Sequence, residues 1–237
     1  MKFSIIIPCY NERDNIDGLI HRLLPLQDKY DLEYVLVENG SKDESKSYFE
    51  QNVDGKYQNI KVAYVPINQG YGYGLQQGLK VAEGDYVGWL HADLQIPPEA
   101  LIPFFDYVLS SSTENCFLKG NRSNRSIFDN FFTFGQSVFN TLLFRSFIHD
   151  VGAIPVLFSR NLFSQIRIDE FPNDFSIELY VYVQAKKQHF CIKRFKVALQ
   201  KREKGKSSWN TGLCSKIRQS KRIFNDSLLI KRGEKVL

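Results

Sequence analysis

The chain has 237 residues, of which 43% are hydrophobic, and a formal net charge of +5. This is ample apolar material for the core of one domain, and no run approaches the ~18 consecutive apolar residues of a membrane span. The four cysteines lie far apart without a Cys-x-x-Cys pair, which predicts buried or incidental thiols in a reducing compartment. No secretory signal peptide is expected, because the first apolar run ends at Pro8.

Strand and helix patterns alternate from the start of the chain. Short apolar runs predict strands over residues 3–8, 34–38, 60–66 and 86–90, and helical spacing predicts helices over 15–27, 43–51 and 71–82. Farther along we expect helices over 99–111 and 175–187 and strands over 116–120 and 191–199. This order predicts an α/β fold, a single Rossmann-like domain whose central sheet is mostly parallel with helices on both faces.

The first two predicted strands end in polar residues. After the first, Tyr10 offers a flat face to a base, while Asn11 and Glu12 offer polar groups at a helix entrance. A helix cap, by Asn11 or Asp14, explains this segment equally well. After the second, a plain strand-turn-helix explains the turn but leaves Glu38, a hydrogen-bond acceptor, unaccounted for.

The glycine-rich loop over residues 68–74 follows the third predicted strand. A dinucleotide-binding loop has a different glycine spacing and follows the first strand of its sheet. A nicotinamide-dinucleotide site is therefore not predicted here.

The fourth predicted strand, Tyr86 to Leu90, ends at side chains that can hold a divalent cation. In open α/β sheets ligands collect at the carboxyl ends of the strands, where His91, Asp93 and Gln95 would emerge. If the chain stays extended, alternation places these three side chains on one side. The alternative is that Asp93 caps the next helix and His91 is a surface residue.

Residues 68–98 resemble the family 2 glycosyltransferases, most closely the branch that contains dolichyl-phosphate mannose synthase. In that branch the fourth strand ends in Asp-Ala-Asp-Leu-Gln followed by two prolines, and this chain carries His91 in place of the first aspartate. Further stretches are similar to family motifs, at residues 8–16, 38–45, 119–122, 150–160 and 201–209.

The resemblance implies a glycosyltransferase A-type fold and a division of the chain. A catalytic domain would cover residues 1–209, with a donor half over about 1–98 and an acceptor half over about 99–209. Residues 210–237 would form a separate basic, amphipathic segment.

A divalent metal is implied at the end of the fourth strand, where Asp93, with His91 and Gln95, would hold the cation that bridges the diphosphate of a nucleotide sugar. A neutral imidazole is a good ligand for Mn²⁺ and a poorer one for Mg²⁺. The exchange of aspartate for His91 therefore favours Mn²⁺, with Mg²⁺ still possible.

The resemblance also implies which residues meet the donor. Glu38 takes the place of an aspartate that meets the base or ribose, and the glycines after Asn68 would let the backbone approach the nucleotide closely. The implied donor-binding residues are Pro8, Tyr10, Asn11, Glu12, Glu38, Asn68, Gly70 and Ala92.

On the acceptor side, the resemblance implies catalytic roles for Asp93, Asp150 and Glu178. A carboxylate base is essential if a hydroxyl attacks, whereas an acceptor phosphate is already an anion and needs none. Capping of a turn by Asp150 and a solvated helix face at Glu178 are the alternatives. The implied acceptor- or phosphate-binding residues are Arg122, Arg202, Lys206, Ser207 and Ser208, and each basic residue among them has a solvated surface position as its alternative.

Two stretches indicate contact with a membrane. Residues 127–147 are rich in phenylalanine at helical spacing; most of these side chains are expected in the core, and the rest predict a surface that meets lipid or a polyprenyl chain. From Lys193 onward there are fourteen Lys or Arg against three acids, a net +11, while 17 basic and 23 acidic residues give −6 before it. The basic end would lie on an anionic leaflet or pack on the body with its charges in solvent.

The sequence thus predicts a metal-dependent, inverting glycosyltransferase at the cytoplasmic face of the membrane. It would move a sugar from a nucleotide sugar to a polyprenyl phosphate or lipid-linked saccharide in cell-surface glycan synthesis. A non-catalytic relative that binds sugar nucleotides or lipid is the alternative, since His91 and Asn39 replace acids. RNA binding is disfavoured, because no recognised RNA-binding motif with aromatic platforms accompanies the basic end.

Overall fold

The computed structural model describes residues 1–111, 114–123, 127–202, 204 and 213–233, with side chains described for all of these except 127–129 and 213–219. Lys206, Ser207 and Ser208, for which phosphate binding is predicted, lie outside these residues.

The described residues form seven strands and seven α-helices. The strands are β1 (Phe3–Cys9), β2 (Leu32–Glu38), β3 (Ile60–Tyr64), β4 (Tyr86–Trp89), β5 (Cys116–Ser123), β6 (Val156–Ser159) and β7 (Cys191–Ala198). The helices are α1 (Arg13–Leu23), α2 (Ser45–Asn52), α3 (Tyr71–Val81), α4 (Ile102–Ser110), α5 (Ile127–Phe144), α6 (Ile177–Lys187) and α7 (Leu213–Arg232). Short 3-10 helices lie at Leu24–Asp28, Pro98–Leu101, Arg160–Ser164 and Ile168–Glu170.

All seven strands join one sheet in the order β3-β2-β1-β4-β6-β5-β7. Strand β6 runs antiparallel to β4 and β5, and every other pairing among the described strands is parallel. The predicted α/β fold with a mostly parallel sheet is confirmed, and β6 is the one strand for which no prediction was made.

Burial follows the apolar pattern of each element. Strand β2 is buried along its whole length. On α1, buried side chains recur at Ile16, Leu19, Ile20 and Leu23, the spacing of one helix face. Helix α3 packs against β1 and β2, and at Gly78 an added Cβ would lie 2.3 Å from the Ile6 side chain. The parallel strands and these helices therefore share one core.

Helix α7 packs on α5, so the described part of the basic end lies on the body of the protein. The rings of Phe139 and Phe224 are 4.2 Å apart between centroids, and Ile230 is 4% exposed. The Ser176 hydroxyl donates to the carboxylate of Asp226, which ties α7 to the start of α6. Lys221, Lys231 and Arg232 are exposed on the outside of this packed helix.

Within the described ranges, none of the helices is long and apolar enough to cross a bilayer. Cys9 and Cys116 are buried free thiols and Cys191 is an exposed one.

Candidate active site

The carboxyl ends of β1, β2 and β4 lie side by side at one edge of the sheet. A cavity of about 260 Å³ opens there. Its lining residues are Pro8, Tyr10, Glu12, Asn39, Asn68, Tyr71, His91, Ala92, Asp93, Phe175 and Arg202.

Five of the residues predicted to bind the donor line this cavity: Pro8, Tyr10, Glu12, Asn68 and Ala92. Two others hold the surrounding loops in place. The Asn11 side-chain oxygen accepts from the Lys42 N–H at 2.8 Å, and Asn11 itself has a positive φ of 54°. Glu38 accepts from the Ser41 N–H at 2.7 Å and is 1% exposed.

Asn39, one residue beyond Glu38, lines the cavity instead. Its amide nitrogen donates to the Gly70 carbonyl at 3.1 Å, which fixes the orientation of the amide. Its buried side-chain oxygen has no hydrogen-bond partner among the described residues. Since an unmatched buried acceptor is costly, this oxygen is a place where an N–H or O–H of a ligand or a water would be favourable.

Two glycines of residues 68–74 lie directly against the backbone of another segment of the protein. An added Cβ would lie 2.2 Å from the Asn173 carbonyl oxygen at Gly70, where φ is +116°, and 2.2 Å from the Pro172 carbonyl oxygen at Gly72. The close approach expected between these glycines and the nucleotide is thus made at both positions by the 172–174 backbone. That segment carries Phe175 into the cavity, where its ring stacks on Tyr71 with centroids 4.8 Å apart.

The loop after β4 brings His91 and Asp93 into the cavity but not Gln95. The chain does not stay extended, as the alignment of all three side chains required, because the backbone turns after Leu90 and Leu94 has a φ of +58°. Asp93 accepts from the backbone N–H of Gln95 at 3.1 Å, an Asx turn. The Gln95 amide donates to the Gln200 carbonyl at 3.3 Å, so it ties this loop to the chain after β7.

Arg202 reaches the cavity from the chain after β7. One guanidinium nitrogen lies 2.6 Å from both carboxylate oxygens of Glu12, and another lies 3.6 Å from Asp93. Burial raises the pKa of Glu12, and the hydrogen bonds from Asn15 and Arg202 oppose that rise. A single guanidinium therefore serves two carboxylates that come from separate strand ends.

The imidazole of His91 lies against Tyr71. Its Nε2 is 3.2 Å from the Tyr71 hydroxyl, and the two rings meet edge to face with centroids 5.3 Å apart. Enclosure of the ring by the protein lowers the pKa of His91, with Asp93 and Glu178 acting in the opposite direction. The neutral imidazole that can ligate a metal is therefore favoured.

Glu178 lies beneath the cavity, 3% exposed, at the start of α6. It accepts from the Trp89 indole N–H at 2.6 Å, from the Tyr71 hydroxyl at 3.3 Å and from the Lys119 ammonium at 3.3 Å. Lys119 is fully buried and also donates to the Ala153 carbonyl at 2.7 Å. Burial lowers the pKa of Lys119 to about 8, against the attraction of Glu178.

Asp150 and Arg122 pair with each other. The Arg122 Nε donates to one oxygen of Asp150 at 3.2 Å, and a terminal nitrogen meets the other oxygen. Asp150 is buried and has a positive φ of 42°. The pair lies outside the residues that line the cavity, so the structure places two predicted acceptor-side residues in one ion pair.

Sequence reasoning did not assign Tyr71 or Phe175 to the site, and it passed over Asn39 for its neighbour. Tyr71 stands in the glycine-rich loop, so its position beside the motif was a usable signal. Phe175 is brought in by packing of a distant segment, which no local pattern indicates.

A divalent cation fits this corner if the protein shares it with a ligand. Among the described residues no three His, Cys, Asp or Glu side chains converge on one point. His91 and Asp93 offer one nitrogen and one carboxylate within the same cavity, a donor set suited to Mn²⁺. The remaining positions would be filled by diphosphate oxygens and water.

The sequence profile of glycosyl transferase family 2 matches residues 4–149, more than half of the chain. The chain belongs to this family. The resemblance on which the sequence prediction was based is confirmed.

Named family 2 relatives match over a shorter stretch. An undecaprenyl-phosphate 4-deoxy-4-formamido-L-arabinose transferase of Proteus mirabilis is 34% identical over 108 residues, 42% of this chain and 31% of that protein. A dolichol-phosphate mannosyltransferase of Pyrococcus furiosus is 33% identical over 112 residues, 47% of this chain and 31% of that protein. The matched segment thus spans about a third of the length of these relatives.

The fold of this family 2 chain is shared with a solved structure. Glucosyl-3-phosphoglycerate synthase from Mycobacterium tuberculosis, in complex with Mn²⁺, UDP and glucosyl-3-phosphoglycerate, superposes with a TM-score of 0.74 at 17% identity. The superposition covers 98% of this chain and 80% of that chain. The glycosyltransferase A-type fold predicted from the resemblance is confirmed.

Proposed function

We propose that the chain is an inverting, metal-dependent glycosyltransferase that moves a sugar from a nucleotide-sugar donor to a polyprenyl phosphate or lipid-linked saccharide in cell-surface glycan synthesis. The observation that carries this proposal is the cavity at the carboxyl ends of β1, β2 and β4, where Asp93 and His91 meet the donor-side residues. Relatives named for polyprenyl-phosphate acceptors support the acceptor class.

The donor would lie across the ends of β1 and β2. Tyr10 offers its ring to the base. The unmatched oxygen of Asn39 would accept an N–H from the base or an O–H from the ribose. Because Asn39 is a neutral acceptor, it requires a hydrogen donor on the ligand at that point.

Asp93 and His91 would hold the divalent metal, which when bound supplies positive charge to the departing diphosphate. Arg202 adds a second cation at the same place, since its guanidinium already bridges Glu12 and Asp93. Its planar fork matches phosphate oxygens as well as carboxylates.

The acceptor that the described residues fit best is a phosphate. Glu178 is buried beneath the cavity with three donors around it, and Asp150 is paired with Arg122. Glu12 is paired with Arg202. A hydroxyl acceptor needs a carboxylate base, whereas the anionic oxygen of a polyprenyl phosphate attacks the anomeric carbon without one.

Membrane contact would be made by the α5/α7 surface, defined here as the exposed apolar side chains of the paired helices and the chain after α5. Phe131 and Leu142 are each 73% exposed. The other members are Phe134, Val138, Phe147, Phe224 and Leu228. Exposed apolar side chains grouped on paired helices are typical of a binding face.

Charge around the α5/α7 surface favours an anionic bilayer as its partner. Arg145, Lys221, Lys231 and Arg232 are exposed on or next to the two helices. Among the described side chains of α5 and α7 the acidic residue is Asp226, which is 6% exposed and bonded to Ser176. Basic residues near an anionic leaflet contribute about 1 kcal/mol each.

We infer that residues 1–209 form the catalytic domain and 210–237 a basic amphipathic segment that supports membrane contact. The donor half, about 1–98, supplies most of the cavity lining, and the acceptor half is about 99–209. The enzyme would act at the cytoplasmic face of the membrane, in keeping with the free thiols of Cys9, Cys116 and Cys191.

The catalytic proposal is tested by transfer from a panel of nucleotide sugars to a short-chain polyprenyl phosphate in the presence of Mn²⁺. Formation of a lipid-linked sugar of inverted anomeric configuration, lost on chelation and restored by Mn²⁺, is the expected result. Donor binding without transfer or hydrolysis across the panel would favour the non-catalytic alternative.

The membrane proposal is tested by flotation with vesicles of phosphatidylcholine alone or with phosphatidylglycerol. We expect binding to the anionic vesicles, loss of binding in the double variant Phe131→Ser/Leu142→Ser, and no loss in the control Leu109→Ser, which alters a 54% exposed leucine on α4. Equal flotation of the double variant and the wild type would contradict this assignment of the surface.

A further inference from the structure

A chain of polar contacts runs from the buried interior to the cavity. It starts at Lys119, passes through Glu178 at 3.3 Å and the Tyr71 hydroxyl at 3.3 Å, and ends at the Nε2 of His91 at 3.2 Å. Lys119 and Glu178 do not line the cavity, whereas Tyr71 and His91 do.

The direction of each hydrogen bond follows from the number of protons available. An ionised carboxylate has no proton to give, so Glu178 accepts from Lys119, from the Trp89 indole and from Tyr71. The Tyr71 hydroxyl has one proton, which it donates in the hydrogen bond to Glu178. The phenolic oxygen is then left as an acceptor toward His91, which must supply the proton from Nε2.

Lys119 forms a buried ion pair with Glu178 at 3.3 Å, so the carboxylate has a cationic donor on the side away from Tyr71. The Lys119 ammonium is fully buried, and its neighbours are the Ala153 carbonyl and the Glu178 carboxylate. A buried cation of this kind requires an anionic partner, because an unpaired buried charge is strongly destabilising. Lys119 and Glu178 therefore each supply the opposite charge that the other needs in the interior.

We propose that Tyr71 and Glu178 are positioning residues that hold His91 as the neutral tautomer protonated on Nε2, so that the lone pair of Nδ1 is available to a cation in the cavity. This inference rests on the proposed function for the identity of the cation, but the tautomer itself is a property of the metal-free protein. It assigns to Glu178 an action through Tyr71 in place of the base role predicted from the sequence.

The stacking of Phe175 on Tyr71 completes the arrangement. The ring planes differ by 19°, and the Tyr71 ring stands at 88° to the imidazole. Tyr71 is thus restrained by ring packing as well as by its hydroxyl. Removal of the hydroxyl alone leaves this packing in place, so a phenylalanine variant isolates the hydrogen bond.

The test is ¹⁵N NMR of metal-free protein labelled at its four histidines, with the His91 signals identified by their loss in His91→Gln. In the wild type we expect a pyridine-type shift for Nδ1 and a pyrrole-type shift for Nε2. In Tyr71→Phe we expect averaging toward a mixture of tautomers. The matched control is Tyr73→Phe, the same change two residues along α3, which should leave the His91 signals unaltered.

A second measurement is Mn²⁺ affinity in the presence of a nucleoside diphosphate, followed by the EPR signal of free Mn²⁺. Loss of a partner that orients a metal-ligating histidine typically costs about 10–100-fold in affinity, and we expect that loss in Tyr71→Phe and Glu178→Gln but not in Tyr73→Phe. If Glu178→Gln fails to fold because Lys119 is left unpaired, Tyr71→Phe decides alone.

The two measurements separate the two proposals. A wild-type His91 protonated on Nδ1, or a tautomer unchanged in Tyr71→Phe, would overturn the positioning role whatever the metal does. The expected tautomer together with no Mn²⁺ binding by the wild type would sustain the positioning role and count against the metal-dependent function.

Discussion

The amino and carboxyl edges of the parallel strands both contain buried carboxylates and basic residues, but in different surroundings. At the amino edge, Glu33 is 2% exposed and accepts from Lys61 at 2.7 Å, Ser4 at 2.7 Å, Lys2 at 3.1 Å and the Glu83 N–H at 2.9 Å. Burial opposes ionisation there, but these hydrogen bonds outweigh it and lower the pKa of Glu33 to about 2.

At the carboxyl edge, donors are scarcer than acceptors. Burial raises the pKa of Glu12, and Arg202 is divided between Glu12 and Asp93. Asn39 keeps an unmatched oxygen in the same cavity. A carboxylate surrounded by donors stabilises the fold, whereas carboxylates that share one cation retain capacity for a metal or a ligand.

Asp93→Ala, at the carboxyl edge, should have the largest effect. Loss of the carboxylate that we propose as a metal ligand would remove several kcal/mol of charge stabilisation in the transition state, so we expect turnover to fall by about 10³-fold. The control is Asp85→Asn at the amino end of the same strand, where the Asp85 carboxylate accepts from the Lys2 backbone N–H at 2.9 Å. Metal-dependent turnover that survives in Asp93→Ala would remove the metal site from this edge.

At the amino edge, Glu33→Gln should cost stability and leave catalysis per folded molecule intact. Removal of the buried anion leaves Lys61 and Lys2 without their main partner, and we expect the free energy of unfolding at pH 7 to fall by about 3 kcal/mol. Chemical denaturation measures it. Glu83→Gln is the matched control, since Glu83 contacts the same two lysines but its side chain is 64% exposed, and its cost should stay below about 1 kcal/mol.

The same carboxylate predicts how stability depends on pH. Its pKa is lowered from 4.5 to about 2 on folding, so the stabilisation is complete above pH 4.5 and is lost as pH falls toward 2. A shift of this size corresponds to about 3 kcal/mol. The difference in unfolding free energy between the wild type and Glu33→Gln should therefore shrink steadily across that range, and a constant difference would show that Glu33 is not the group responsible.

The sequence predicts this contrast only in part. Short apolar runs located the strand ends and so predicted that Tyr10, Glu12, His91 and Asp93 lie near one another, because parallel strands share an edge. Strand β6 was not predicted. It has only four residues and pairs antiparallel with β4 and β5, which are far from it in the sequence, so it produces no recognisable periodic pattern.

Side-chain direction at the strand ends is harder to predict than their position. A leucine with positive φ has no recognisable signature, so the turn at Leu94 that removes Gln95 from the cavity could not be read from the sequence. The contact between Arg202 and Glu12 joins residues 190 positions apart, and that of Glu178 with Trp89 joins residues 89 apart. Contacts between residues so far apart in the sequence depend on tertiary packing, which local sequence patterns do not indicate.

The smallest expected effect concerns Arg202, which joins two carboxylates of the carboxyl edge. Arg202→Gln removes the cation shared by Glu12 and Asp93, so the pKa of Glu12 should rise further, because burial would then be opposed by Asn15 and no longer by the guanidinium. Donor affinity should weaken by about tenfold, near 1.4 kcal/mol, through loss of a charged hydrogen-bond donor to the diphosphate.

Arg202→Lys separates charge from geometry in that experiment, since an ammonium keeps the charge but lacks the fork. We expect Arg202→Lys to keep the pKa of Glu12 close to its wild-type value but to lower donor affinity. Isothermal titration measures the affinity, and ¹³C NMR of labelled glutamate measures the pKa. Lys201→Gln, a charge loss at the adjacent exposed position, is the control. If Lys201→Gln weakened donor binding as much as Arg202→Gln, the effect would come from the general positive charge of this end of the chain. A specific role of Arg202 in donor binding would then be excluded.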